Sequence, residues 1–189
     1  REGTWVNWVD DLPLGDGRAD FAFEAARLFY LRGHVDEAYL RLKRFAEQET
    51  QHGKAVAAAS LTLDTLVKGS EWETLHETAQ QFRERRWTDK SFEHKLVKLG
   101  GDAFLKTLEL AFESGDYSGV QKNADRFLKL YPSDARGEGA ILLAAKAAEK
   151  AEEPLRLEQW LSKHVELFPS TDRTGASLQK RALLFQERL

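Results

Sequence analysis

A phenylalanine returns at one fixed place in this chain, at Phe45, Phe82 and Phe127, and this recurrence limits the fold more than any other feature. Segments 35-VDEAYLRLKRFAEQ, 72-WETLHETAQQFRER, 117-YSGVQKNADRFLKL and 154-PLRLEQWLSKHVEL align on the small or apolar anchors Ala38, Leu75, Val120 and Leu157. A second column aligns Leu42, Ala79, Ala124 and Leu161. The anchors are 37, 45 and 37 residues apart, so the chain reads as four copies of one unit. A fixed period in this range marks a solenoid, in which each unit buries its apolar face against the next and the array holds other proteins. The phenylalanines are expected to fill the gap between successive units, where losing one fully buried ring costs about 3–5 kcal/mol.

Each aligned segment forms the second helix of a pair. In the first unit, residues 19–32 read as the first helix, with Ala22, Ala26 and Phe29 on its inner face. Gly33 is expected to end it in the left-handed conformation, and Asp36 and Glu37 then suit the start of the next helix. The third unit repeats this with Phe104, Leu108 and Ala111, then Gly115 and Asp116. The fourth has Ile141, Ala145 and Ala148, with Pro154 in the first turn of its second helix. The second has Ala59, Leu63 and Leu66 before Gly69, with one extra residue in its turn. The alanines let paired helices approach closely.

Two stretches fall outside the period. Residues 83–100 account for the longer step, with Thr88 capping either a short helix or a longer first helix of the third unit. Residues 1–18, with Trp5, Trp8, Val9 and the turn-rich 13-PLGDG, are expected to cover the open end of the array at 19–170. Residues 171–189 then give a helix with Leu178, Ala182 and Phe185 on one side, a cap or the start of a further unit.

Composition narrows the function. The net charge of −3 and pI near 6.0 supply no long-range field toward nucleic acid or an anionic membrane, and no apolar run is long enough to span a bilayer. The absence of cysteine excludes disulfides, thiol nucleophiles and thiolate metal sites, and is compatible with an oxidising compartment. With Arg1 first and no methionine, the chain is expected to be a processed or trimmed piece, any signal peptide or lipid anchor already removed.

The third unit carries 115-GDYSGV, followed twelve residues after Val120 by 131-YP. This resembles the tetratricopeptide repeat, with its Gly-Asp-Tyr-type turn, small residue five after the glycine and closing proline. The first unit matches with 33-GHVDEA and the fourth with 168-FP, and the closings 131-YPSDA and 168-FPSTD look most like repeats of bacterial envelope-assembly proteins. The period of 37 exceeds the family's 34, and the consensus tryptophan and first-helix glycine are replaced. The resemblance implies an all-α, right-handed superhelix (an α-solenoid) of about four divergent helical hairpins, with first helices lining a concave face. Non-core positions there are Phe23, Arg27, Tyr30, Asp64, Lys68, Leu105, Glu109, Phe112, Glu113, Leu142, Lys146, Glu149 and Lys150, with Tyr30 and Phe112 as anchors for a protein or peptide partner. The alternative is a solvated helix face. The family's carboxylate clamp needs a lysine and an asparagine, where this chain has Phe23/Arg27, Ser60/Asp64 and Leu105/Glu109, so capture of a chaperone C-terminus by that mechanism is not expected.

Catalytic patterns are weak. Glu73 and His76 form one Glu-x-x-His pair where a di-metal bundle needs two, and a surface pair is expected. His164, where a fourth phenylalanine is due, reads as a partly buried histidine. No Ser-His-Asp pattern, phosphate loop or dinucleotide glycine motif appears, and 15-GDG and 100-GG read as turns. Arg83, Arg85 and Arg86 beside Trp87, with Lys90, Lys95 and Lys98, could grip nucleic acid, but interleaved Glu84, Asp89 and Glu93 favour a solvated helix end. The expected function is therefore a non-catalytic scaffold without cofactor or metal, in a bacterial envelope assembly and in the periplasm, with the cytoplasm as the alternative compartment. The alternatives are a helical regulatory or substrate-recruiting domain of a larger enzyme, and a self-assembling array whose end units stack.

Overall fold

A computed structural model describes residues 16–85, 87 and 89–186; among them the chain is all-α, with no strand. Its helices, in chain order, are α1 Asp16–Leu31, α2 Val35–Gln48, α3 Ala55–Gly69, α4 Trp72–Arg83, α5 Lys90–Glu113, α6 Tyr117–Leu130, α7 Gly137–Lys150, α8 Pro154–Leu167 and α9 Thr174–Gln186. The chain divides into two compact units, Arg1–Gly100 and Gly101–Leu189, with the division inside α5. In the first, α1 packs on α2 and α3, α2 on α3, and α3 on α4. In the second, α6 packs on α7, α7 on α8 and α8 on α9.

Repetition is clearest in the backbone of four turns, α1–α2, α3–α4, α5–α6 and α7–α8. Each contains one left-handed residue: Gly33, Ser70, Gly115 and Glu152, with φ of 78°, 57°, 82° and 56°. The next residue's N–H reaches back five positions, from His34 to Phe29, Glu71 to Leu66, Asp116 to Ala111 and Glu153 to Ala148, at 2.9–3.0 Å. The left-handed residue itself donates to the carbonyl three positions earlier, at 3.1 Å in every case. This is the Schellman arrangement, which satisfies carbonyls that a helix end leaves without partners. Gly33 and Gly115 adopt the conformation without Cβ strain, whereas Ser70 and Glu152 carry that strain. Gly69 is the last helical residue rather than the turn residue, and counted from Ser70 the second turn holds no extra residue.

The recurring phenylalanines lie in the core, Phe45 at 4% exposure and Phe82 and Phe127 at 0%. Their ring contacts lie both within a helix pair and beyond it, and Phe45 also meets His52, between α2 and α3, at 5.4 Å. Phe45 meets Phe23 of α1 at 5.6 Å, and Phe127 meets Phe104 of α5 at 5.7 Å, so each ring joins the two helices of its own pair. Phe82 meets Trp87 at 5.7 Å, and the indole N–H donates to the Phe82 carbonyl at 2.6 Å. Ala26, Ala59, Ala145 and Ala148 are buried as expected, and Ala22 is only half-buried.

Several expectations need correction. In α1 the buried stripe is Ala19, Phe23 and Ala26, because the larger Phe23 ring packs on Phe45. Phe29 stays half-buried beneath Arg41, whose guanidinium lies 5.0 Å from the ring centre. Residues 16–18 of the proposed N-terminal cap and Gly17 of 15-GDG belong to α1; residues 1–15, with Trp5, Trp8 and Val9, lie outside the described residues. From Lys90 the inserted stretch lengthens α5, with Asp89 accepting from the N–H groups of Ser91 and Phe92 at 2.8 and 3.3 Å; Thr88 lies outside the described residues. The 100-GG pair is helical, not a turn. A Cβ on Gly101 would fall within 3 Å of the Arg136 guanidinium, which Asp102 and Asp134 hold in place.

Candidate docking groove

In α7 the sequence GEGAILLAAKAAEK buries Ala140, Ile141, Ala144, Ala145, Ala147 and Ala148. Such a wide band of small side chains lets neighbouring helices close in. Leu142 and Leu143 flank this band and stay half-exposed. With Leu157 and Leu161 of α8 they form the apolar lining of an open groove of about 470 Å³, within the range of about 300–1,000 Å³ typical of ligand clefts. Lys146 and Glu149 of α7 line it too, as do Arg173, Ala176, Ser177 and Lys180 at and along α9. Gly139 completes the lining; a Cβ added there would meet nothing within 4 Å.

The α9 wall is attached mainly through polar groups. His164 is fully buried, more than the sequence suggests, and sits between Glu138 and Ser177. Its Nδ1 lies 2.9 Å from the Ser177 hydroxyl and its Nε2 lies 3.2 Å from Glu138 Oε1. A neutral imidazole donating from Nε2 and accepting at Nδ1 satisfies both. Hydrogen bonds from Thr171, then from His164, and the nearby Arg173 hold the Glu138 carboxyl below its ordinary value. Lys180 pairs with Glu149 at 2.5 Å and Arg181 with Glu158 at 3.3 Å. Meanwhile Leu178, Ala182 and Phe185, expected to share one side of this helix, are exposed.

The hydroxyl, imidazole and carboxylate follow the order of a nucleophilic triad, an arrangement invisible in a sequence that separates Glu138, His164 and Ser177. His164 has no exposed surface and Ser177 is only 3% exposed, so the imidazole and the hydroxyl are buried where three helices meet. The trio joins α7, α8 and α9.

Other concave-face candidates are distributed between the two units. Phe23 is a core residue and no longer a candidate. Tyr30, Asp64 and Lys68 come together in the first unit: the Tyr30 hydroxyl donates to Asp64, and Lys68 lies 3.1 Å from Asp64 and 4.0 Å from the Tyr30 ring centre. The Tyr30 hydrogen bond, with Lys68 beside it, lowers the Asp64 pKa. Arg27 pairs with Glu24 at 2.9 Å. In the second unit, Glu109 pairs with Lys106 at 2.8 Å, Phe112 is half-buried against Tyr117, Leu105 is half-exposed, and Glu113 and Lys150 are exposed. Leu142, Lys146 and Glu149 are the candidates that meet in the groove.

His76 is buried rather than at the surface, with Nδ1 3.0 Å from the Gly100 carbonyl oxygen. Trp87 is buried and Arg85 bonds to the Glu47 carbonyl, which removes the ring and one cation from the considered nucleic-acid grip; the Arg86 side chain lies outside the described residues. Among the described residues, no group of three or more His, Asp or Glu side chains could hold a metal ion, and no helix is long and apolar enough to cross a membrane. No protein-family model matches the chain, and no curated protein matches it significantly.

Proposed function

We propose that this protein is a non-catalytic scaffold or adaptor that docks a segment of a partner protein, and that its helix pairs are tetratricopeptide-like units of an α-solenoid. The groove lined by Leu142, Leu143, Leu157 and Leu161 carries the proposal: it is an open apolar surface with charged groups beside it, the combination that seats peptide side chains. The recurrence of one turn geometry at Gly33, Ser70, Gly115 and Glu152 supports the repeat architecture. A bacterial envelope assembly, with the periplasm as compartment, is the proposed setting, on the absence of cysteine and the YPSDA and FPSTD closings.

A photo-crosslinking amino acid at position 142, compared with one at Leu155 on α8, tests the docking function in the native host. Leu155 is exposed and does not line the groove. The expected result is a discrete partner adduct from position 142 and none from 155. Equal labelling from both positions, or none from 142, would reject the groove as a docking site.

A further inference from the structure

We infer that the groove takes an acidic amphipathic segment of a partner protein, its aliphatic or aromatic side chain seated on the leucines and its side-chain carboxylates on Lys146 and Arg173. The inference rests on the docking function proposed above and names the chemistry of the occupant.

The charge inventory of the groove leads to it. Lys146, Arg173 and Lys180 line it against one carboxylate, Glu149, which Lys180 already pairs at 2.5 Å. Arg173 is 65% exposed along its side chain and reaches only 4.0 Å from Glu138, whose carboxylate also serves Thr171 and His164. Lys146 is exposed and makes no ion pair among the described residues. Lys146, without an ion pair among the described residues, and the largely exposed Arg173, 4.0 Å from Glu138, thus stand beside an apolar surface, where a bound segment would exclude water and strengthen their attraction to carboxylates.

A Cβ added at Gly139, in the first turn of α7, would meet nothing within 4 Å. The glycine leaves the groove open at the start of α7. A second copy of the chain fits the charge less well through α9, whose apolar stripe is accompanied by Lys180 and Arg181 and no acidic residue.

Three labelled, C-terminally amidated helical peptides with the same leucine and phenylalanine positions, and glutamate, glutamine or lysine elsewhere, test the inference by fluorescence anisotropy. The glutamate peptide should bind about tenfold or more tighter than the lysine peptide, with the gap narrowing between about 50 mM and about 500 mM salt. The double variant Lys146→Glu, Arg173→Glu should reverse the order. Equal binding of all three, lost in Leu142→Ser, would leave the docking function standing and overturn the acidic preference. No binding of any peptide to the unaltered chain would overturn both. Sedimentation without peptide should give 21.5 kDa; a concentration-dependent dimer that Gly139→Leu abolishes would assign the groove to a second copy and overturn the inference.

Discussion

Glu152 occupies the left-handed position that glycine fills in the α1–α2 and α5–α6 turns, and Ser70 does the same between α3 and α4. Both side chains are exposed, so the backbone conformation is the main term in replacing them. Glu152→Gly and Ser70→Gly should each raise stability by about 1 kcal/mol, seen as a higher urea midpoint with an unchanged slope. A midpoint that falls would mean that the side chains contribute more than the strain removes. Turns at Gly33 and Gly115 were legible because glycine stands at the left-handed position. The second was misplaced by one residue because Gly69 precedes that position, and the fourth carries no glycine at all. In α1, both the Ala22 and the Ala19 registers have helical spacing and share Ala26; the bulk of Phe23 decides between them.

The attachment of α9 was not legible from its amphipathic pattern. Leu178, Ala182 and Phe185 form the apolar stripe, yet the helix packs through Thr174 and Ser177 because His164 and Glu138 wait for polar partners on the facing helices. That choice has a pH consequence. Glu138 titrates below its ordinary value of 4.5, so its stabilising effect is complete above that value and is lost as pH falls through the lowered one. Glu138→Gln should therefore lower the urea midpoint at neutral pH and flatten its decline between about pH 5 and about pH 3. Parallel curves for the two proteins would show that Glu138 does not couple the helices. Asp89 at the start of α5 was also missed as a cap, because Thr88 beside it offers the same chemistry in sequence.

At the level of the whole molecule, the all-helical character of the described residues was readable, and the three phenylalanines of the register are core residues. Of the positions that the tetratricopeptide resemblance implied for a concave face, Leu142, Lys146 and Glu149 line one wall of the groove. The opposite wall was not readable, because Arg173 and Lys180 reach the groove only through the polar seating of α9. The docking function is tested most directly by titrating the partner recovered by crosslinking against the unaltered chain and Gly139→Leu. A Cβ at position 139 meets nothing within 4 Å and leucine favours a helix over glycine, so the variant should melt no lower than the parent. The expected result is an intact fold and a partner affinity reduced about tenfold or more. Full affinity in a folded Gly139→Leu chain would contradict the groove as the site of docking.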